Sequence, residues 1–461
     1  MVRLLHAYFP RRTVVLAASE ALLIVLAVLA GALVAYGQEL DLVLLYEGGL
    51  YKVLLTSSVC MLSLYYHDLY NPSMLRSEWE ELTRVVQGLG MACLILGVAF
   101  YAYPWLELGR GASLIGLAFI GIVSVIVRKL FLALNRSPAF AERAIILGDD
   151  PLAASVANEI QGRPELGIRL LGYASDSPSA SLNGLPFWGT CQTLRQRVLD
   201  SGLKRIIVAM SERRRRLPLE DLLFLKSRGV LVQDGADVYE TITGKVPIES
   251  LRLSWLVFSE GFRVSRAALI RKRVLSVVLS GMALLVGLPL LAIIAVAIRL
   301  DSPGPIVFRQ KRSGKDGKLF TLFKFRTMVD GVDPDGVYIP VQEKDERITR
   351  VGRLLRRTRL DEFPQLYNIL RGDMYFVGPR PFVPNQEEEL AQKLPLYSQR
   401  WSVRPGATGW AQIRKGYCAT FEDNVERLGY DLYYIKNMSI GLDLLIAFQT
   451  TKILLTGRGA R

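Results

Sequence analysis

The sequence predicts a chain of three parts: a membrane-embedded helical bundle, an α/β domain built on a parallel sheet, and a C-terminal domain that mixes strands and helices. Long apolar runs fill the first third of the chain, and short apolar strands alternate with helical stretches from about Ala141. After Leu300 the sequence is dense in charged motifs punctuated by glycine and proline. The 461 residues leave room for two or three domains, which agrees with this division.

The composition indicates a membrane protein with an anionic partner. The apolar share of 51% excludes a disordered tail or a small disulfide-stapled module, and it is high for an ordinary soluble enzyme. The formal net charge of +14 favours phospholipid headgroups, a phosphorylated substrate or nucleic acid as partner. Nucleic acid would leave the apolar runs unexplained, so we expect none.

Histidine and cysteine exclude several kinds of site. The only histidines are His6 and His67, so the later two-thirds of the chain has neither a histidine general base nor a multi-histidine metal site. The four cysteines are scattered without CxxC spacing, which indicates neither zinc nor a disulfide framework. A reducing, cytoplasm-facing location fits this usage.

Residues 1–137 are predicted to form a four-helix transmembrane region. Each apolar run approaches the ~20 residues needed to cross a bilayer. The runs are Val14–Tyr36, Leu50–Tyr66, Val85–Tyr103 and Ala112–Val127. Basic residues precede the first run, separate the second from the third and follow the fourth, so both ends of the bundle should face the cytoplasm.

Glu20 lies within the first apolar run and is a candidate functional carboxylate, because charge at membrane depth is costly. The simpler interpretation, which we favour, places Glu20 near the cytoplasmic interface, paired with Arg11 or Arg12.

Residues 138–250 are predicted to form a Rossmann-like α/β domain. Strands at Ala144–Leu147, Arg169–Tyr173, Arg205–Met210 and Gly229–Gln233 alternate with helices, which indicates a parallel sheet. The first strand leads into Gly148-Asp149-Asp150 rather than a G-x-G-x-x-G fingerprint, and two acidic residues there would repel a pyrophosphate. A domain without cofactor and a domain with a bound nucleotide or regulator both remain open.

Residues 251–270 are predicted to be a linker, followed by an apolar segment over 274–300. By length this segment could cross the membrane, but basic residues flank it on both sides and Pro289 lies near its middle. Proline removes an i→i−4 hydrogen bond and can break a helix. We therefore predict a re-entrant membrane helix bent around Gly287–Pro289, with a spanning helix as the alternative.

The C-terminal domain is predicted to begin with a hairpin of two strands, Ile306–Arg312 and Leu319–Arg326, joined by Gly314–Gly317. Its main candidate site is the acidic pair Asp361 and Glu362, which follows a run of arginines.

The acidic pair is expected near a helix N-terminus. Thr358 is a possible N-cap, Pro364 suits a first helical turn, and Gly372 suits a helix stop. A carboxylate there could attack phosphorus or bind Mg²⁺, and arginines could neutralise phosphoryl oxygens. A surface ion-pair cluster is the alternative.

The C-terminal motifs resemble the bacterial sugar transferase family, that is, polyprenyl-phosphate hexose-1-phosphate transferases or monotopic phosphoglycosyl transferases. The blocks that carry the resemblance are Ser302–Pro305, Phe308–Arg312, Lys324–Met328, Leu360–Gln365, Arg371–Met374, Gly378–Pro381 and Arg404–Gly409. Four transmembrane helices and a Rossmann-like domain before them look like the large, multi-domain branch of the family.

The resemblance implies a fold of three parts: a membrane α-helical bundle, an α/β Rossmann-like domain, and an α+β monotopic phosphoglycosyl transferase domain over 271–461 that includes the re-entrant helix. It implies that Asp361 attacks the β-phosphorus of a UDP-sugar and releases UMP, and that undecaprenyl phosphate then takes the phosphosugar. Glu362 would assist metal binding or proton handling, and Mg²⁺ would be held by Asp361 and Glu362. By the same resemblance, the phosphate- and substrate-binding residues are Arg356, Arg380, Lys324, Arg326 and Arg404, and Pro289 is the break in the re-entrant helix.

The family resemblance also implies a multi-pass protein of the bacterial inner membrane, with its catalytic domain on the cytoplasmic face, in an exopolysaccharide, capsule or O-antigen pathway. The implied partners are membrane lipid and, by family analogy, a second copy of the chain. Two positions depart from the family pattern: Leu288 and Arg359 stand where serine is frequent. The alternatives are a membrane-bound NAD-dependent nucleotide-sugar dehydratase, which would need a Tyr-x-x-x-Lys pair that this sequence lacks, and a non-catalytic assembly scaffold.

Overall fold

The computed structural model forms two compact units. The first holds Met1–Val2 and Tyr8–Val238, and the second holds Arg3–Ala7 and Tyr239–Arg461. The residues that the structure describes are 1–70, 78–136, 141–176, 182–210, 217–248, 261–262, 265–329, 345–394, 396–416 and 420–456. Most of the predicted linker, 251–260 and 263–264, lies outside these residues, as does Cys418.

The first unit begins with helices where the sequence predicts membrane segments. A short hairpin of β1 (Val2–Leu4) and β2 (Ala7–Phe9) precedes them. The helices are α1 (Arg11–Tyr36), α2 (Leu40–Tyr46), α3 (Gly49–Tyr66), α4 (Glu78–Ala102) and α5 (Arg110–Arg136). Pro10 precedes α1 and Gly37, at φ 54°, ends it, which are the usual positions of these residues at helix ends.

Four described segments are long and apolar enough to cross a membrane. They are Arg11–Tyr46, Trp79–Ala102, Arg110–Leu134 and, much later in the chain, Arg266–Asp301. The second predicted crossing forms α3, which is helical and packs in the same bundle but falls outside this set.

Glu20 has a different partner from the one predicted. It is fully buried, and Arg128 of α5 donates to both of its oxygens, with Nη2–Oε2 2.7 Å and Nε–Oε1 3.2 Å. Arg128 also donates to the Leu69 carbonyl at 2.7 Å. The predicted pairing with Arg11 or Arg12 is therefore wrong, because α1 packs along α5 and places Glu20 beside a buried arginine 108 residues away in sequence.

The second part of the first unit is the predicted parallel sheet, with the four predicted strands and a fifth, Phe187–Gly189, that was not predicted. The strand order is β5-β4-β3-β6-β7, the Rossmann order in which the first strand lies at the centre. The strands are β3 (Glu142–Leu147), β4 (Ile168–Ala174), β5 (Phe187–Gly189), β6 (Arg205–Val208) and β7 (Leu231–Asp234). Its helices are α6 (Pro151–Gln161), α7 (Leu194–Ser201) and α8 (Leu219–Ser227), and α9 (Gly235–Thr243) begins in this unit and continues past its end at Val238.

Gly148, directly after β3, is required by packing. Its φ is 119°, and a Cβ at this position would lie 2.7 Å from the Ala209 carbonyl oxygen. Packing and backbone conformation therefore explain the glycine at position 148 without a bound ligand.

The second unit carries the C-terminal motifs. Its strands are β8 (Val307–Ser313), β9 (Leu319–Phe325), β10 (Tyr375–Val377) and β11 (Gly406–Thr408). Its helices are α10 (Arg266–Asp301), α11 (Arg350–Thr358), α12 (Gln365–Arg371), α13 (Pro384–Lys393), α14 (Trp410–Arg414), α15 (Phe421–Lys436) and α16 (Ile440–Thr456). The strands β8 and β9 form the predicted antiparallel hairpin, and β10 pairs with β11 in parallel.

The apolar segment forms one continuous helix, α10, which passes through Pro289, so the break predicted at Gly287–Pro289 does not interrupt the helix. Near its start, the buried Lys272 pairs with Asp443 of α16 at 2.6 Å. At its end, the Asp301 carboxylate accepts a hydrogen bond from the Val351 amide in the first turn of α11 at 2.9 Å. Both ends of α10 are thus bonded to the same unit.

Candidate active site

The acidic pair lies in a short turn between two helices. Arg359, at φ 56° and ψ 18°, ends α11 in the left-handed conformation, and Leu360–Glu362 then form one 3₁₀ turn. Pro364, which has no amide hydrogen to leave unsatisfied, directly precedes α12. Gly372, at φ 104°, ends α12 as predicted.

Thr358 does not cap the helix that follows the acidic pair. It lies in the last turn of α11, and its hydroxyl donates to the Leu354 carbonyl at 2.9 Å. The N-cap prediction is wrong because α11 extends to Thr358, and the left-handed Arg359 then redirects the chain.

Glu362 is held by two cations from different parts of the domain. Lys324, near the end of β9, donates to Oε1 at 3.1 Å. Arg380, which follows β10, donates from Nη2 to Oε1 at 2.5 Å and from Nη1 to Oε2 at 3.2 Å. Although burial alone would raise it, these charges and hydrogen bonds hold the pKa of Glu362 well below its usual range. A lowered pKa favours the ionised form of Glu362, which anchors the two cations.

Asp361 has the opposite environment. Its side chain is half-buried, and within the described part of the chain no hydrogen bond ends on its carboxylate. Burial, and secondarily the charge of Glu362, raise the pKa of Asp361 above its ordinary value, while the nearby Lys324, Arg380 and Arg356 oppose this rise. A raised pKa and oxygens without a hydrogen bond from a described residue fit Asp361 to the role of a nucleophile better than to that of a structural ion-pair partner.

Arg356 approaches the pair from the last turn of α11. Its Nε donates to the Thr327 hydroxyl at 2.9 Å, and its positive charge is close enough to Asp361 to lower the pKa of that carboxyl. Thr327 was not singled out from the sequence, although it lies in the Lys324–Met328 block. A Cβ on Gly352 would lie 2.1 Å from the Thr327 carbonyl oxygen, so α11 needs a glycine there to approach this strand end.

Two of the predicted phosphate-binding arginines are not brought to the pair. Arg326 is buried, and its guanidinium donates to the carbonyls of Pro303 at 2.7 Å and Ser302 at 2.6 Å, so it fixes the chain that leaves α10. The Arg404 guanidinium lies 5.4 Å from the centre of the Tyr375 ring. The structure therefore groups five of the predicted side chains: Asp361, Glu362, Lys324, Arg380 and Arg356.

The donor set fits Mg²⁺ only together with a substrate. Among the described residues, no three His, Cys, Asp or Glu side chains converge on one point. Mg²⁺ is commonly held by one or two carboxylates with substrate phosphates and water. Asp361 can serve as such a ligand, whereas both oxygens of Glu362 already accept from Arg380 and Lys324.

Two family profiles match the chain. The bacterial sugar transferase profile matches residues 267–457, which include every residue of the acidic site. A profile described as a CoA-binding domain matches residues 66–217, which include most of the parallel sheet.

The most similar relatives include three transferases. The UDP-N-acetylgalactosamine-undecaprenyl-phosphate N-acetylgalactosaminephosphotransferase of Aeromonas hydrophila is 40% identical over 49% of this chain and 52% of its own length. The undecaprenyl-phosphate glucose phosphotransferase of Komagataeibacter xylinus is 34% identical over 69% of this chain and 60% of its own length. The UDP-glucose:undecaprenyl-phosphate glucose-1-phosphate transferase of Xanthomonas campestris pv. campestris is 30% identical over 73% of this chain and 72% of its own length.

The alignments thus span about half of the Aeromonas protein, 60% of the Komagataeibacter protein and 72% of the Xanthomonas protein. The match to the last is long enough to include more than the C-terminal domain, and the family profile covers the whole acidic site. On this evidence the chain belongs to the bacterial sugar transferase family.

Proposed function

We propose that this chain transfers a hexose-1-phosphate from a UDP-sugar to undecaprenyl phosphate and releases UMP. The observation that carries the proposal is the contrast between two adjacent carboxylates: Glu362 is bonded to Arg380 and Lys324, while no described side chain bonds to Asp361. Named relatives act on UDP-sugars and undecaprenyl phosphate, which supports the same pair of substrates here.

In the first step, an oxygen of Asp361 attacks the β-phosphorus of the donor. The bond between that phosphorus and the bridging oxygen breaks, and UMP leaves with the bridging oxygen and its electron pair. The product is an acyl phosphate that carries the sugar on Asp361. Arg380, Lys324 and Arg356 stand beside this carboxylate and would neutralise the charge on the phosphoryl oxygens.

In the second step, a phosphate oxygen of undecaprenyl phosphate attacks the same phosphorus. The bond to the Asp361 oxygen breaks, the carboxylate is regenerated, and the lipid carries a diphosphosugar. A Mg²⁺ ion held by Asp361 and the diphosphate oxygens would supply further charge neutralisation when bound. Because the pKa of Glu362 is held low, we assign Glu362 the task of positioning Arg380 and Lys324 rather than moving a proton.

We further propose that α10 enters and leaves the membrane on the cytoplasmic side. Both of its ends are bonded to the same unit, and basic residues flank it on both sides. Its outward side chains are apolar and exposed, as expected for a face in contact with lipid; they include Val274, Val278, Met282, Leu285, Ile293 and Val296. This topology would keep Asp361 at the inner surface of the bacterial inner membrane, where a lipid phosphate can reach it.

The test uses the purified full-length protein with several UDP-sugars, undecaprenyl phosphate and Mg²⁺, and measures UMP release. We expect Asp361→Asn to abolish release while the thermal unfolding temperature stays unchanged. Asp316→Asn is the matched control, because Asp316 is exposed at the hairpin tip and its left-handed φ of 55° is one that asparagine tolerates.

Mass spectrometry of the wild-type protein quenched with donor alone should show the phosphosugar on Asp361. Retained UMP release by Asp361→Asn, or the absence of this adduct, would reject the covalent route. No release from any UDP-sugar would favour the non-catalytic scaffold.

A further inference from the structure

The membrane helix α10 faces its own domain along one stripe. The buried or half-buried positions of the stripe recur every three or four residues, the spacing of one helical face. They are Lys272, Ser276, Ser280, Leu284, Gly287, Leu291, Ile294 and Ile298. At ~1.5 Å per residue the stripe is about 39 Å long, so α10 contacts the domain over most of its length.

Gly287 is the point where this stripe meets the acidic site. A Cβ added at Gly287 would lie 3.0 Å from Cε1 of Phe363, the residue that follows Glu362. Phe363 packs against two apolar clusters to which α10 also contributes: Ile294 and Ile298 lie in one, and Ala283 and Leu284 pack against the other. The glycine is helical and needs no unusual backbone angle, so its role here is to make room for the ring.

Phe363 is coupled to the acidic pair through the backbone. Its amide donates to the Leu360 carbonyl at 3.2 Å and closes the 3₁₀ turn that contains Asp361. A displaced ring would therefore displace that turn and move Asp361 relative to Lys324 and Arg380, which belong to other elements.

The helix α10 also holds the other end of α12. Arg273 donates from Nη2 to the Leu370 carbonyl at 2.7 Å and from Nη1 to the Ile369 carbonyl, in the last turn of α12. The segment 363–370 is thus fixed to the membrane helix at both ends, by the ring contact at Gly287 and by the Arg273 fork.

We infer that Gly287 and Phe363 form a positioning contact through which the membrane helix sets the place of Asp361. In this arrangement α10 is part of the catalytic architecture as well as an anchor. Neither residue touches the substrate; both act through the turn that carries the nucleophile. The inference rests on the proposed function, in which the Asp361 carboxylate is the reacting group.

The test compares Gly287→Val with Gly281→Val in the full-length protein. Gly281 lies on the same helix with no atom within 4 Å of a built Cβ, so the two variants share the same change of helix propensity and differ in the contact. We expect Gly287→Val to lower kcat for UMP release by about tenfold or more, because small displacements of a nucleophile are costly. KM for the UDP-sugar should stay within about twofold, and Gly281→Val should match the wild type.

Rescue distinguishes positioning from general damage to the fold. Phe363→Leu replaces the ring with a smaller side chain and so makes room for the valine. The double variant Gly287→Val/Phe363→Leu should therefore recover at least half of the lost kcat. If Gly287→Val does not fold, Gly287→Ala replaces it, because its Cβ already lies within 3.0 Å of the ring.

Equal losses in Gly281→Val and Gly287→Val, an unchanged kcat in Gly287→Val, or no recovery in the double variant would each overturn the inference. Adduct formation on Asp361 in the wild type separates the two proposals. If the wild type forms the adduct and the Gly287 variants form it equally fast, only the positioning role fails. If the wild type forms none, the proposed function fails first.

Discussion

Arg380 holds both carboxylate oxygens of Glu362, with Nη2–Oε1 at 2.5 Å and Nη1–Oε2 at 3.2 Å. This two-point contact fixes the plane of the guanidinium beside Asp361, which a single-point cation cannot do. An experiment can therefore separate the effect of the positive charge of Arg380 from the effect of its fixed two-nitrogen geometry.

Arg380→Lys keeps the positive charge and removes the fork. We expect kcat/KM for UMP release to fall by about 10²-fold, the usual cost of losing one oriented donor to a phosphoryl or oxyanion centre. The control is Arg371→Lys, since Arg371 is largely exposed and lies 3.7 Å from Asp373. Steady-state kinetics of both variants test this, and an Arg380→Lys enzyme with wild-type kcat/KM would show that charge alone suffices.

The pH dependence of the reaction should follow Asp361. Its pKa lies above the ordinary value because of burial and the charge of Glu362, and only the ionised form can attack phosphorus. UMP release should therefore decline as the pH falls through this raised pKa. Lys324→Met removes a charge that lowers the pKa of Asp361, so the decline should move to higher pH. Glu362→Gln removes a charge that raises it, so the decline should move to lower pH.

Single-turnover UMP release with donor alone, measured across pH for the wild type and both variants, gives these midpoints. Using one turnover removes the acceptor and its own phosphate titration from the profile. Midpoints that move in the same direction in both variants would contradict the assignment of the acid limb to Asp361.

The topology of α10 can be read from the two ends of the helix. In a cysteine-free background, Ala267→Cys and Pro305→Cys place single thiols at exposed positions in the first turn of α10 and just after its end. A re-entrant or surface-lying helix predicts that a membrane-impermeant thiol reagent reaches both from the cytoplasmic side. Arg11→Cys lies at the first residue of α1, a candidate crossing, and Gln38→Cys lies just after its end, so the two should be reached from opposite sides. Opposite accessibility at 267 and 305 would establish a spanning helix instead.

Local patterns predicted much of this fold. The alternation of apolar strands and helices predicted the parallel sheet, because a short apolar run by itself indicates a buried strand. The glycines of Gly314–Gly317 predicted the turn that joins β8 and β9. Gly372 was predicted correctly because a helix stop depends on one residue's backbone freedom. The acidic pair stood out because two carboxylates followed several arginines within one short segment.

Contacts between distant segments could not be predicted in this way. The sequence placed Arg326 with Lys324 in one block, but β9 ends at Phe325, and Arg326 beyond it binds the chain after α10 instead. The contact of Gly287 with Phe363 joins positions 76 residues apart, so no local spacing records it. The left-handed Arg359, which ends α11 where Thr358 was predicted to begin the next helix, has no compositional signal of the kind that glycine gives.

The Glu20–Arg128 pair should contribute strongly to the stability of the helical bundle. Both side chains are almost fully buried and joined at two points, so removing one partner leaves an uncompensated charge. We expect Arg128→Met to lower the free energy of unfolding by roughly 3–5 kcal/mol. Adding Glu20→Gln should recover part of this loss, because the fully buried carboxylate is then neutral; the contact of Arg128 with Glu81 at 3.6 Å stays lost, so recovery is incomplete. The control Arg110→Met breaks an exposed pair with Glu107 and should cost about 0–1 kcal/mol.

Denaturant or thermal unfolding of the wild type and the three variants in one detergent provides the comparison. If Arg128→Met were no more destabilising than Arg110→Met, the buried pair would not be a stabilising contact of the bundle.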